Sequence, residues 1–148
     1  MHLTLKFLGD VDARDVGAVD ATVNRVAGAA QPARGRLRDL GSFPHLRRPR
    51  VLWIGVQTDD EALVALHDAL QSELAALGFP RDARGFRPHV TIGRVRSNRR
   101  LPDLLRTFEK HRDFDAGTFR IDAVTLFESE LRRDGARHHA LGVHTLSG

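Results

Sequence analysis

The tetrapeptide His2-Leu3-Thr4-Leu5 recurs as His89-Val90-Thr91-Ile92, and this repeat constrains the fold more than any other feature of the chain. Each copy alternates polar and apolar residues, which is the period of a half-buried β-strand. Side chains alternate across a strand, so His2 and Thr4 share one face while Leu3 and Leu5 take the other, and His89 and Thr91 do likewise. If the two strands face one another across a cleft, two imidazoles and two hydroxyls converge on one small volume, an arrangement suited to a phosphate. Histidine titrates near pH ~6.5, so one ring can be neutral and the other charged. That pairing supplies a general base and a general acid, each worth roughly 100- to 10,000-fold in rate. The Thr4 and Thr91 hydroxyls can donate to nonbridging phosphate oxygens and stabilise charge as water attacks phosphorus. One His-x-Thr alone is ordinary sheet surface; its repetition in a second apolar strand carries the argument.

Around the repeat, the pattern predicts a β-α-β-β-α-β-α-β-β order. Alternation at Leu3, Leu5 and Phe7 predicts a first strand, ended by Gly9-Asp10. Val16, Val19, Val23, Val26 and Ala30 are spaced as a helix, with Asp12 and Asp15 placed for its first turn and Gly28 to Pro32 closing it. Leu37 to Phe43 and Val51 to Gln57 predict a hairpin across the Pro- and Arg-rich turn Pro44 to Pro49. Asp59 to Leu77 is a helix by spacing, with Leu63, Leu66, Leu70, Leu74 and Leu77 on one face and Gly78 as its stop. His89 to Val95 follows as a strand, then a short helix opened by Leu101 and Pro102 and running through Leu104, Leu105 and Phe108. A final hairpin, Thr118 to Phe127 and Arg137 to Leu146, turns at Asp134-Gly135. Helices set between hairpins favour an α+β domain with antiparallel sheets over a doubly wound one.

Composition narrows the chemistry. The 148 residues include no Cys, which excludes disulfides, a thiol nucleophile and cysteine-ligated metal, and suits a reducing, cytoplasmic compartment. A metal site could use only His and carboxylates, and His45, His67, His111, His138, His139 and His144 show no compact spacing for one, so no metal or cofactor is expected. No apolar run approaches the ~18 residues of a membrane span. The 23 basic residues exceed 19 acidic ones, and all but Lys6 and Lys110 are Arg. Arg forks chelate phosphate and stack on bases, which points to an anionic, nucleotide-bearing partner; a GC-rich coding sequence would leave the same signature. The clusters Arg34/Arg36/Arg38, Arg47/Arg48/Arg50, Arg81/Arg84/Arg87 and Arg96/Arg99/Arg100 are either guides for a polynucleotide or solvated loops.

His2 to Gly9, Gly41-Ser42-Phe43-Pro44, Pro49 to Val56, Phe86 to Arg94 and Phe127-Glu128-Ser129-Glu130-Leu131 together resemble the 2H phosphoesterases. Within them the match is to the RNA 2′,3′-cyclic phosphodiesterases, also called 2′-5′ RNA ligase-like proteins. It extends from His2 to about Leu146. The resemblance implies one bilobal, pseudo-twofold α+β domain over 1–148, with antiparallel sheets lining a central cleft, helices outside, and one His-x-Thr strand from each lobe. His89 then corresponds to the base that activates water and His2 to the acid that protonates the departing ribose oxygen, leaving a 2′-phosphomonoester. Weak, reversible 2′-5′ joining of RNA ends is implied as well.

Phe7 and Arg94, each five residues after its His, correspond to a pair that sandwiches a nucleobase. Strand parity places an offset of five on the face opposite the histidines, so this correspondence requires a bulge, strong twist or strand end. A core aromatic and a solvated strand-end charge are the alternatives for Phe7 and Arg94. His138-His139 stands where relatives often show an aromatic. Family members usually carry a strand and a helix before the first His motif; the expectation is either that the domain lacks them or that the true start lies upstream. The expected partners are RNA ends or small nucleotides bearing a 2′,3′-cyclic phosphate, bound by a monomeric enzyme. The competing reading is a noncatalytic RNA-end or nucleotide-binding protein using the same cleft.

Overall fold

The computed structural model describes residues 2–58, 61–97, 99–111, 113–132 and 135–148. Its elements are α1 (Val16–Ala29), β1 (Ala33–Phe43), β2 (Val51–Thr58), α2 (Ala62–Ala76), β3 (His89–Arg94), α3 (Leu101–Lys110), β4 (Asp115–Ile121), β5 (Ala123–Arg132) and β6 (Gly135–Thr145). They fall into two compact units, the first comprising Met1–Leu5, Arg34–Asp59 and Phe86–Phe119, and the second Lys6–Ala33, Asp60–Gly85 and Arg120–Gly148.

The first unit is built on a sheet of order β3-β2-β1-β4. β1 and β2 form the antiparallel hairpin expected from the sequence, from Gly35 opposite Thr58 to Phe43 opposite Val51, and β3 adds antiparallel to β2. β1 starts four residues earlier than its apolar alternation suggests. The reason is Gly35: a Cβ there would lie 2.6 Å from the ring of Phe119, so glycine is the seat of an aromatic side chain. α3 opens with Pro102 in its first turn and buries Phe108. The expected strand Leu3 to Phe7 reduces to a single bridge, Leu3 to Val90, because the chain bends at Leu5 and passes into the second unit.

At the β4 end, Arg36 Nε donates to Asp115 Oδ2 at 2.8 Å and the Gly117 N–H donates to Oδ1 at 2.9 Å. The Arg36 hydrogen bond first, and the Gly117 one second, hold the Asp115 carboxyl below its ordinary value. A depressed carboxyl stabilises the fold above its unfolded pKa, and that contribution disappears as pH falls through the folded one. Asp115→Asn is therefore expected to lower the melting temperature slightly at pH 7, with the difference shrinking as pH falls below the ordinary aspartate value and vanishing only below the depressed folded one. A melting difference independent of pH would contradict this.

In the second unit, α1 buries Val19, Val23, Val26 and Ala27. The helix begins at Val16, so Asp12 and Asp15 do not lie in its first turn as the sequence suggested; Asp15 is the N-cap residue, and its side chain makes no capping bond. α2 buries Leu63, Leu66, Leu70 and Leu74, each worth about 1.5–3 kcal/mol on full burial. Leu77 is not part of that stripe: the helix stops at Ala76, Gly78 turns the chain with φ +94°, and Leu77 is 42% exposed. Of the expected helix start, Asp59 and Asp60 lie outside the described residues.

The strand expected from Thr118 to Phe127 is two strands. Asp122 separates them, β4 joining the first unit's sheet and β5 pairing with β6. The β5–β6 hairpin pairs antiparallel from Ala123 opposite Thr145 to Arg132 opposite Gly135; of the expected turn Asp134-Gly135, Asp134 lies outside the described residues. One hairpin face meets α1, where His144 Nε2 lies 2.8 Å from Asp20 Oδ1 and the bare Gly142 leaves room for that carboxylate. The other exposes Phe127 and Val143. No helix is long and apolar enough to cross a membrane among the described residues.

Candidate active site

β3 is an edge strand, and its first residue is His89. The preceding Pro88 has no N–H to lose at a strand start, and its carbonyl accepts from the Val56 N–H at 2.9 Å. His89 Nδ1 lies 2.7 Å from the Arg87 carbonyl. A carbonyl only accepts, so Nδ1 carries the proton and, in the neutral ring, Nε2 holds the lone pair. The ring is held on its apolar side by Phe43, edge-on at 5.0 Å, and by Trp53 at 6.0 Å, which themselves pack at 5.3 Å. Neither aromatic is recognisable as a site residue from its strand alone.

The free edge of β3 takes Leu3, antiparallel to Val90. Stepping one residue either way along this pairing sets His2 opposite Thr91 and Thr4 opposite His89. Leu3 and Val90 share one face, with Val90 buried, and all four polar residues therefore share the other. Directly opposed Cβ atoms lie about 4.5–5.5 Å apart and diagonal ones about 7–8 Å. The two histidines occupy a diagonal and the two threonines the crossing one. Thr4 and Thr91 are exposed and His89 is half-buried. Both His-x-Thr segments thus belong to the first unit, whereas the resemblance implies one from each lobe; the Leu3–Val90 bridge is the reason.

β3 also carries the irregularity that parity demanded. Its register against β2 runs Gly55 to His89, Ile54 to Val90, Trp53 to Thr91, and then Leu52 to Gly93 and Val51 to Arg94. One step on β2 matches two on β3, so Ile92 is an extra residue in a bulge. Val51, Trp53 and Gly55 share a face of the regular β2, so Arg94 returns to the face of Thr91 and His89. Phe7 lies in the second unit and is 76% exposed, so it is no core aromatic. The neighbouring Lys6 is fixed by bonds to Gln71 Oε1 and the Pro80 carbonyl.

The row Thr4, His89, Gly55, Arg38 crosses three strands and the bridged segment on this same face. Arg38 therefore shares the face of His89, across a strand position with no side chain. Spacing within β1 could not reveal this, because Arg38 sits at a bulge whose next residue, Asp39, has φ +62°. The other histidines do not gather: His67 is buried against Asp68 and Gln71, His138 pairs with Ser129, and His144 with Asp20 and Asn24. Among the described residues no three His, Asp or Glu side chains converge as a metal site.

An α+β chain with two His-x-Thr segments side by side on one sheet face has the layout of a two-histidine phosphoesterase. Residues 1–133 match the family model described as the 2′-5′ RNA ligase superfamily, and the chain belongs to that family. It is 32% identical over 143 residues to the RNA 2′,3′-cyclic phosphodiesterase of Aeropyrum pernix, covering 95% of this chain and 78% of the relative. Among solved structures, the crystal structure of TT0787 of Thermus thermophilus superposes with a TM-score of 0.79 at 26% identity, over 99% of this chain and 78% of that one. The crystal structure of E. coli LigT complexed with 3′-AMP superposes with a TM-score of 0.72 at 26% identity, over 99% and 77%. That relative holds a nucleotide.

Proposed function

We propose that this chain hydrolyses RNA 2′,3′-cyclic phosphate ends to 2′-phosphomonoesters, with His89 as general base and His2 as general acid. His89 Nε2 takes a proton from water, the water oxygen bonds to phosphorus, the P–O3′ bond breaks, and His2 returns a proton to the departing O3′. The Thr4 and Thr91 hydroxyls donate to the nonbridging oxygens between the two rings. Arg94 is the residue proposed to stack on the terminal base, a reading supported by its place on the face of Thr91, and the stacking role of the exposed Phe7 rests on the resemblance alone. With a ribose 5′-hydroxyl in place of water as the nucleophile, the same step forms a 2′-5′ bond as P–O3′ breaks, and its reversal expels the 5′-hydroxyl and restores the cyclic phosphate. The observation that carries the reading is the antiparallel Leu3–Val90 bridge, which sets both imidazoles and both hydroxyls on one face.

An oligonucleotide ending in a 2′,3′-cyclic phosphate tests it. The expected product carries a 2′-phosphate and a free 3′-hydroxyl, and the rate follows a bell-shaped pH profile, since one imidazole must be neutral while the other is charged. A 3′-phosphate product, or a rate with only one limb, overturns the assignment of roles. Tight binding of the oligonucleotide without turnover favours a noncatalytic RNA-end-binding protein instead.

A further inference from the structure

The β1–β2 turn and the segment after β3 border a half-open cavity of about 230 Å³ lined by Arg48, Pro49, Arg50, Val95, Arg96 and Ser97. Its walls are tied to the sheet: the Arg50 N–H donates to the Phe43 carbonyl at 2.8 Å and the Val95 N–H to the Arg50 carbonyl at 3.0 Å. Pro49 is fully buried beneath it. Among the described residues no carboxylate lines the cavity. Arg14, Arg25, Arg36, Arg106, Arg120 and Arg132 each pair with an acid. Among the described residues Arg48, Arg50 and Arg96 pair with none. The Ser97 hydroxyl accepts from the Arg99 N–H at 3.3 Å and keeps its own proton to donate.

Three uncompensated guanidiniums around one cavity repel each other and attract an anion. The cavity is smaller than the ~300–1,000 Å³ of pockets that hold whole drug-sized ligands, so it fits a small anionic group. Arginine forks match the geometry of phosphate oxygens. The site also lies along the strand of His89: Val95 is four residues beyond Thr91 but three register steps, because Ile92 is the bulged extra, which is about 10 Å at ~3.3 Å per residue. That distance spans about three nucleotides of a stacked strand at ~3.4 Å each, and fewer of an extended one.

We infer that the Arg48/Arg50/Arg96 cavity is a subsite for a backbone phosphate of RNA, upstream of the cyclic end, through which the enzyme distinguishes an oligonucleotide from a mononucleotide. The inference rests on the phosphodiesterase reading of the His2/His89 face. It predicts that the strand runs from that face past Arg94 to the cavity, following β3.

The test compares the parent with the Arg48→Ala/Arg96→Ala double variant on two substrates, a pentanucleotide ending in a 2′,3′-cyclic phosphate and a 2′,3′-cyclic mononucleotide. Binding of an unreactive pentanucleotide with a 3′-hydroxyl is measured alongside. KM for the cyclic pentanucleotide is expected to rise roughly tenfold or more, with the salt slope of binding falling by about 1 per arginine removed. The mononucleotide kinetics should stay within about twofold, because phosphate contacts act only where a phosphate reaches them. Arg96→Glu, which keeps Arg48, should weaken pentanucleotide binding further. Equal losses on both substrates, or unchanged affinity for the unreactive pentanucleotide, overturn the subsite. If the parent turns over neither substrate while the variants lose pentanucleotide affinity, the catalytic reading fails and the phosphate site stands.

Discussion

His89→Ala lowers kcat by about 100- to 10,000-fold on a cyclic-phosphate RNA end, the range associated with removing a positioned general base. The loss is catalytic rather than structural. The imidazole is half-buried at a strand start, and alanine forfeits its ring contacts with Phe43 and Trp53 and its hydrogen bond to the Arg87 carbonyl, each worth about 0.5–1.5 kcal/mol at most. Melting should therefore fall by only a few degrees, and affinity for a 2′-phosphate product should hold within a few-fold. Turnover in the variant within tenfold of the parent would remove His89 from the reaction. Because Nδ1 donates to the Arg87 carbonyl, Nε2 is the nitrogen that the variant deletes from the chemistry.

Gly41→Ala is expected to be the most damaging small substitution in the first unit. Its Cβ would sit 2.0–2.5 Å from the Cζ2, Cη2 and Cε2 atoms of Trp53, so the indole must move. Overpacking of this kind costs about 1–3 kcal/mol. In a domain of this size that lowers the melting temperature by roughly 2–4 °C per kcal/mol. Trp53 is the single tryptophan, so its fluorescence reports the displacement directly. The indole also backs the His89 ring, and turnover should fall with the shift in emission. An alanine variant with unchanged melting and emission would show that Trp53 does not rest on Gly41.

Where apolar side chains did the burying, the sequence was legible. The leucine stripe of α2, the valines of α1 and the β1–β2 hairpin all follow from spacing. It failed where glycine or a break set the structure. Gly35 seats the half-buried Phe119 ring while contributing no apolar side chain to count, so the start of β1 stayed hidden. Asp122 divides a continuous strand pattern between two sheets, a partition decided by which neighbours pair and not by alternation. The His-x-Thr residues were visible because their own period exposes them. Trp53, Phe43 and Arg38 were not, since each reaches the site through cross-strand register. Arg94 fell between: its position was readable, but its face depended on a bulge at Ile92 that alternation alone contradicts.

That bulge separates two tasks along a single strand. Upstream of Ile92 the pleat is locked by pairing on both edges, through Leu3 on one side and β2 on the other. Downstream, the extra residue acts as a phase shifter. Drawing Ile92 into the register as a paired residue would send the guanidinium at 94 to the opposite surface, whereas deleting it would leave Arg94 on the face of His89 and Thr91. Whether the sheet expels or pairs this one residue thus decides which side chain stands beside the reacting phosphate, and the choice leaves the proton-transfer apparatus untouched.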